Sequence, residues 1–349
     1  MKIAITGVSG YLGQLLLKHL AEDDSVTEIV GIDMVEPGYS PPNLRFHRAD
    51  IRDPELAAFL DGVAVLVHLA FVFNPIHDEN LMSDINVNGT LNVFSAAAEA
   101  GVSQVVYASS MAVYGAHSDN DYPLTEESPL RANADFSYAL HKLEAERRIA
   151  VWREENPDIK VALLRMAIVM GAGAENFVSR SLEAPRLLSV AGYAPPLQFL
   201  HQDDAVAAIR FAIDHSIDGV YNVSADGELS RDEFLAIIGK KDLALPEPAA
   251  FPAAKIAWKL GVSEAPAGEL RFLMHRWVVS NEKFKEAGFA PLHTNREALV
   301  ETVEANRGWV SLGTARIAED RYERLLRTSI VFALLALLLV LLGMRDSGE

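Results

Sequence analysis

The first 21 residues constrain the fold more than any other stretch of this chain. Ile3-Ala4-Ile5 is a short apolar run of strand character, Thr6-Gly7-Val8-Ser9-Gly10-Tyr11-Leu12-Gly13 follows directly, and a helical pattern runs from Tyr11 to Ala21. A strand delivered into a helix through three spaced glycines is a phosphate-cradling arrangement. Glycine lets the backbone turn sharply and approach a bound group, while the helix N-terminus offers unpaired N–H groups and the positive end of a dipole. Tight strand-to-helix turns also use glycine for steric reasons alone, so the turn needs support from elsewhere in the chain.

That support begins with periodicity. Glu28–Ile32, Leu44–His47, Val63–His68, Val105–Ala108 and Val161–Arg165 are further short β-branched runs separated by amphipathic stretches. This alternation predicts an α/β fold, a doubly wound parallel sheet covered by helices on both faces, over residues 1–170. Residues 171–312 are looser in pattern, with proline-bearing loops at Ala194-Pro195-Pro196 and Leu245-Pro246-Glu247-Pro248 and helical stretches at Arg231–Ile238 and Glu297–Ala305. They read as a smaller substrate-binding region interleaved with the first domain. Residues 313–327 read as an amphipathic linker helix.

Asp33 closes the second strand about 20 residues after Gly13, the spacing at which a carboxylate accepts both hydrogen bonds of an adenosine ribose. The same charge would repel a 2′-phosphate, and no Lys or Arg follows before Arg45. NAD is therefore expected rather than NADP. Asp50-Ile51 and His68-Leu69-Ala70 fall at the carboxyl ends of the third and fourth strands, where ligands of such sheets bind. Asp50 reads equally as a cap for a helix near Asp53-Pro54, and His68 reads first as a satisfied core histidine.

Composition removes other chemistries. Half of the 349 residues are hydrophobic, so a substantial core is available, and the formal net charge of -17 argues against a nucleic-acid partner, which requires clustered cations. The chain has no cysteine, which excludes disulfides, thiolate nucleophiles and cysteine-based zinc sites. His201, His275 and His293 lack metal-ligand spacing and read as structural; no metal is expected.

Tyr138-Ala139-Leu140-His141-Lys142 sets a phenol and an ammonium four residues apart in a helical pattern, on one face. A phenol of ordinary pKa near ~10 is a poor base at neutral pH, and an adjacent ammonium together with an oxidised nicotinamide would lower it. Val105–Ala108 delivers Ser109-Ser110 at a strand end, where a hydroxyl is placed to hold a substrate oxygen.

Taken together, Thr6 to Gly13, Asp33, Asp50-Ile51, Asn86-Val87-Asn88-Gly89-Thr90, Ser109 to Gly115, Tyr138 to Lys142 and Leu164-Arg165 occur in the order and spacing of the NAD-dependent epimerase/dehydratase family. The chain resembles that family, the extended Rossmann-type branch of the short-chain dehydrogenases/reductases, over about residues 1–310. The resemblance implies that Gly7, Gly10, Tyr11, Leu12 and Gly13 form the pyrophosphate turn, that Asp33 holds the adenosine ribose, and that Asp50 and Ile51 flank the adenine. Leu69 and Ala70 would line the cofactor cleft. It further implies that Ser110 polarises the substrate hydroxyl, that Tyr138 is the general base or acid, and that Lys142 contacts the nicotinamide ribose and lowers the tyrosine pKa. Asn86 would support the site or simply pack its helix.

The family's dehydratases carry an Asp-Glu pair after the serine, where this chain has Met111-Ala112. Hydride transfer, or an epimerisation built from two transfers, is thus expected over dehydration. Asn176-Phe177 matches the family's substrate-phosphate segment. The arginine of sugar-nucleotide epimerases two residues before Phe199 is Leu197 here, and Arg271 is the candidate for a second diphosphate contact. A secondary hydroxyl of a nucleoside-diphosphate sugar is the expected substrate; a membrane lipid alcohol of the 3β-hydroxysteroid or sterol type is the alternative, and a non-catalytic NAD-binding regulator is a second one. Family members often dimerise through two helices, here Asp84–Ala100 and Tyr138–Arg153, whose apolar faces would fit a core equally well.

The two chain ends differ. Met1 to Gly7 lacks the apolar core of a secretory signal. Residues 328–344 carry no charge and are mostly Leu, Val, Ala and Ile, which reaches the lower limit of about 17 residues for a membrane-spanning helix. With Arg316, Arg321, Arg324 and Arg327 before the segment and only Arg345 after it, a C-terminal anchor at the cytoplasmic face of a membrane is expected; the alternative is a soluble cytoplasmic chain whose terminal helix is buried.

Overall fold

The computed structural model describes residues 1–174, 177–312 and 315–326. Its first half runs β1 (Lys2–Thr6), α1 (Tyr11–Ala21), β2 (Glu28–Asp33), β3 (Leu44–Arg48), β4 (Val65–His68), α2 (Glu79–Ser83), α3 (Thr90–Glu99), β5 (Gln104–Ser110), α4 (Ser137–Glu155) and β6 (Lys160–Met166). A wide π turn over Asp84–Gly89 joins α2 to α3, so the helix expected from Asp84 opens irregularly. The second half adds β7 (Ile168–Met170), α5 (Phe177–Ser181), β8 (Leu187–Val190), β9 (Phe199–His201), α6 (Gln202–Asp214), β10 (Gly219–Val223), α7 (Arg231–Ile238), β11 (Asp242–Leu245) and α8 (Glu247–Lys259). It ends with α9 (Glu282–Glu286), α10 (Asn295–Ala305), β12 (Trp309–Leu312) and β13 (Ala315–Ala318).

Seven strands form one parallel sheet in the order β3-β2-β1-β4-β5-β6-β10. Thr6 at the end of β1 stands opposite Ile32 on one side and His68 on the other, so strand order reverses between β1 and β4. Such a reversal opens a crevice at the carboxyl ends of the strands. β10 comes from the second half, so residues 202–223 return to complete the sheet.

The strands are apolar on both faces because both are covered. On one face Leu16, Leu17 and Leu20 of α1 share a core with Ala205, Ile209 and Ile213 of α6. On the other, Phe94 of α3 and Ile149 and Trp152 of α4 pack over Ala4, Leu66 and Val105. Each fully buried aliphatic side chain contributes roughly 1.5–3 kcal/mol. Smaller cores hold the C-terminal lobe, where β8 pairs in parallel with β11 and α8 packs on the 3-10 turn Ala267–Leu273.

The expected helix over residues 313–327 is corrected by the structure. Residues 315–318 form β13, antiparallel to β12, and helix begins only at Glu319. The reason is electrostatic: the Glu183 carboxylate is buried and requires a cation, and Arg316 of β13 reaches it at 2.7 Å while lying over the Trp309 ring. Among the described residues no helix is long and apolar enough to cross a membrane. The anchor expected at 328–344 lies outside the described residues.

Candidate functional site

The glycine turn separates into two kinds of glycine. Gly7 has φ +75°, and a Cβ there would lie 2.6 Å from the Ala70 nitrogen; at Gly13 it would lie 2.1 Å from the Gly7 carbonyl oxygen. Both are glycine because the backbone leaves no room. Gly10 is exposed, and a Cβ on it would meet only the Gly7 oxygen at 3.2 Å, so its face of the turn is open. Gly10 is also the N-cap of α1, with no side-chain cap and no acidic residue in the first turn. The first N–H groups of Tyr11, Leu12 and Gly13 therefore face that opening with a positive dipole end and no competing anion. A diphosphate fits this cradle.

Asp33 stands at its rim. Its carboxylate accepts from Ser9 N–H at 3.0 Å and from Val35 N–H at 3.3 Å, which fixes the group beside the turn and leaves lone pairs for a ribose diol. These features fit a dinucleotide at the strand-order reversal. Leu69 donates its N–H to the Thr6 carbonyl and Ala70 closes over Gly7, so both line the cleft wall. Ile51 is buried against Gly89, where a Cβ would collide with it. Asp50 is gripped by Arg52 at 2.6 and 3.0 Å, and those hydrogen bonds hold its carboxyl below the usual range.

His68 is a core histidine, as its plainer reading expects. The Thr90 hydroxyl donates to the Asn86 carbonyl at 2.6 Å, so it accepts from His68 Nε2–H at 3.0 Å; Nδ1 then accepts from Thr6 at 2.6 Å. Burial pushes this imidazole down to about 3, and it stays neutral.

β5 and α4 assemble the catalytic group. Ser110 ends β5 and accepts from the Ala112 N–H at 3.2 Å, while Tyr138 and Lys142 lie one turn apart on the buried face of α4. Lys142 Nζ donates to the Ala108 carbonyl at 2.6 Å and to the Tyr107 hydroxyl at 3.3 Å, and sits 3.6 Å over the Phe71 ring. Burial pulls the ammonium down to about 7, opposed by Glu146. Burial pushes the Tyr138 phenol up to about 12, with only Ser110 acting against it. In the chain alone the ammonium is bound to the β5 groups Ala108 and Tyr107. A base at neutral pH requires the positive charge of an oxidised nicotinamide beside the phenol.

Two features of the site escaped sequence reasoning. Phe71 and Phe73 meet Tyr138 edge-on at 5.6 and 4.9 Å, and Phe136 lies 5.7 Å away, itself against Phe272 at 5.5 Å. This aromatic collar comes from three segments remote in sequence. Behind it, Glu146 accepts from Ser109 and pairs with Arg165 at 2.7 Å, both carboxylate and guanidinium being buried; Arg165 also donates to Tyr114. Glu146 thereby ties α4 to the strand that presents Ser110. Asn86, read from the sequence as supporting the site or packing its helix, bonds through its amide both the N–H and the carbonyl of Val72 at 2.7 and 3.1 Å, fixing the backbone between Phe71 and Phe73.

On the substrate side Leu197 is buried in the C-terminal core, in a bridge with Leu229, so no guanidinium is available at that position. A cavity of about 530 Å³ is lined by His117, Arg131, Asn133, Asp135 and Arg271. Arg271 is held by Asp135 at 3.0 and 3.1 Å, and Arg131 by Asp119. Asn176 lies outside the described residues. His201 and His293, read as structural, do come together: their rings stack at 3.8 Å, and with Asp203 their ligand atoms lie within 4.8 Å of one another. His201 is already committed, through Nε2 to Glu301 at 2.6 Å and through Nδ1 to the Asp203 N–H, which closes it as a hydrogen-bonded cap on α6.

Comparison with known proteins gives a consistent picture. A family model described as the NAD-dependent epimerase/dehydratase family matches residues 3–224. An uncharacterised protein of Sinorhizobium fredii is 29% identical over 329 residues, covering 88% of this chain and 80% of that protein. A UDP-glucose 4-epimerase of Lactobacillus helveticus is 26% identical over 187 residues, covering 51% of this chain and 54% of its own. Among solved structures, UDP-glucose 4-epimerase of Thermotoga maritima superposes with a TM-score of 0.69 at 19% identity, covering 88% of this chain and 99% of that one. A dTDP-glucose 4,6-dehydratase of Streptomyces venezuelae, solved with NAD, gives 0.69 at 23% identity, with 88% and 97% covered. These two likenesses establish a shared fold.

Proposed function

The chain belongs to the NAD-dependent epimerase/dehydratase family, and on that premise we propose that it oxidises or epimerises a secondary hydroxyl of a nucleoside-diphosphate sugar, with Tyr138 as general base and acid. The observation that carries this reading is the placement of Ser110 at the end of β5 beside α4, whose buried face bears Tyr138 and Lys142 one turn apart, with Lys142 reaching the Ala108 carbonyl of β5. When bound, NAD supplies the hydride acceptor and donor. The chain's own part is the proton. Tyr138 Oη takes it from the substrate hydroxyl as the carbinol carbon loses hydride, and returns it when the resulting carbonyl is reduced. Ser110 holds the substrate oxygen within reach of the phenol, and Lys142 contacts the nicotinamide ribose. The collar of Phe71, Phe73 and Phe136 excludes water, which strengthens every electrostatic interaction inside it. Met111-Ala112 in place of an acidic pair leaves no second carboxylate for water elimination.

One observation favours a second substrate class. An aromatic collar together with a core leucine at 197 suits an apolar alcohol of the sterol type better than a fully charged diphosphate. NADH formation measured with panels of UDP- and dTDP-sugars and of sterols separates the two. Turnover is expected with sugar nucleotides, falling on the order of 10²–10⁴-fold in Tyr138→Phe while NAD remains bound. Turnover with sterols alone would overturn the sugar reading. Retained NAD without turnover on either panel would leave the regulator reading.

The anchor belongs to the same proposal: residues 328–344 hold the chain at the cytoplasmic face of a membrane, the preceding arginines lying on that side. Flotation of the full chain with lipid vesicles checks it.

A further inference from the structure

The backbone N–H of Tyr11 belongs to the diphosphate cradle, but its side chain reaches into the second half of the chain. Its hydroxyl donates to Oε1 of Gln202, the first residue of α6 and 191 positions away. Burial, with the Glu301 and Asp203 carboxylates nearby, pushes this phenol well above its ordinary range, so it stays a donor. A donor there fixes the amide: Oε1 faces Tyr11, and Nε2 is left to donate to Glu301 of α10 at 3.4 Å. One side chain thus joins the helix that opens the cofactor site to two helices of the second half.

The same amide holds residues 171–173, which follow β7. A Cβ on Gly171 would lie 2.3 Å from Gln202 Cδ, so only glycine lets the amide pass. Gly173 donates its N–H to Gln202 Oε1 at 3.5 Å, and a Cβ on Gly173 would lie 3.0 Å from Tyr11 Cε2, so this backbone rests on the phenol ring. α10 grips the same segment: Thr302 Oγ1 accepts from Gly171 N–H at 2.8 Å, and Glu301 accepts from Ala172 N–H at 3.3 Å. Thr302 is buried and Glu301 is bonded by His201 Nε2 at 2.6 Å, so the groups facing Gln202 are themselves held.

We propose that Gln202 is a positioning residue for the cofactor: it fastens Tyr11 to residues 171–173 and to α10, and so keeps the first turn of α1 aimed at the NAD diphosphate. This rests on the glycine turn as the seat of NAD. The N–H groups of Tyr11, Leu12 and Gly13 serve an anion best when their direction is set before it arrives, because every freedom frozen on binding subtracts from affinity. Gly10 ahead of them makes no side-chain cap, so the local sequence does not set that direction. The Tyr11 ring does, pinned at its hydroxyl by Gln202 and at its edge by Gly173. Gln202 acts through Tyr11 and needs no contact with NAD.

NAD titration of the full chain carrying Tyr11→Phe, Gln202→Leu or both tests this. Tyr11→Phe removes one oxygen atom and keeps the ring. Each single substitution is expected to weaken NAD binding about three- to tenfold, and the pair no more than either alone, because the same bond is lost in all three. Gln202→Glu supplies the rescue. At about pH 5 the substituted carboxyl, facing Glu301 and Asp203, is protonated, accepts from Tyr11 and donates to Glu301 as the amide does; at about pH 8 its charge opposes theirs. Its NAD affinity, relative to the unsubstituted chain at each pH, is expected to recover at the lower value. Affinity unchanged in Tyr11→Phe, losses that multiply in the pair, or a Gln202→Glu chain with the same relative affinity at both pH values would overturn the proposal and leave the cradle standing. Should Gln202→Leu not fold, Tyr11→Phe and Gln202→Glu decide the matter alone. No NAD binding by the unsubstituted chain would overturn the cradle, and this proposal with it.

Discussion

At the scale of single residues, the site couples two groups whose burial works in opposite directions. Tyr138 is driven up to about 12 and Lys142 down to about 7, so each is held in its neutral form more firmly than in water. For Lys142 the linkage is definite. Its folded pKa lies below its unfolded one, so the unfolded chain binds more protons between about pH 7 and pH 10.5, and the charge penalty is full at pH 7 and below. Lys142→Met is expected to raise stability by up to a few kcal/mol at pH 7, a gain that shrinks toward pH 10 as activity stays abolished. Urea unfolding of both proteins across that range checks this; a gain that grows with pH would contradict it. Sequence reasoning placed both residues on one helical face from their spacing, and the structure has both on the buried face of α4. The Ala108 carbonyl and the Phe71 ring that hold Lys142 come from strands and loops no local pattern connects to α4.

At the scale of elements, the strand-turn-helix unit at the N-terminus shows which glycines serve the fold and which serve the ligand. Gly13→Ala would drive a methyl group into the backbone of the turn at 2.1 Å from the Gly7 oxygen, whereas Gly10→Ala, at a φ of -71° and 3.2 Å from that oxygen, costs the fold less and fills the face where a diphosphate approaches. Thermal melting and NAD titration of the two variants should therefore separate: Gly13→Ala lowers the melting temperature, and Gly10→Ala keeps it while NAD affinity drops at least about tenfold, roughly 1.4 kcal/mol. Equal losses in both measurements for Gly10→Ala would show that this glycine is structural. The turn, α1 and the parallel strands were legible because hydrophobic periodicity and glycine spacing are local. The β12–β13 hairpin was not, since Arg316 follows the buried carboxylate of Glu183 more than 130 residues upstream. The aromatic collar and the Glu146–Arg165 pair were hidden for the same reason: each joins segments that only the closed sheet brings together.

On the scale of the whole molecule, the sheet sets two halves of one site at neighbouring strand ends. The glycine turn follows β1, the phenol sits on α4 beside β5, and β4 lies between those strands. The second half contributes β10 to the same sheet and then builds the C-terminal lobe. Such a layout makes the phenol's chemistry depend on what the turn holds. The most direct test is the ultraviolet difference spectrum of the full chain, titrated from pH 6 to pH 10 with and without NAD, beside Tyr138→Phe. The account predicts a tyrosinate signal that appears in this range only with NAD bound and is missing from Tyr138→Phe. A phenol that still titrates near 12 with NAD in place would contradict it.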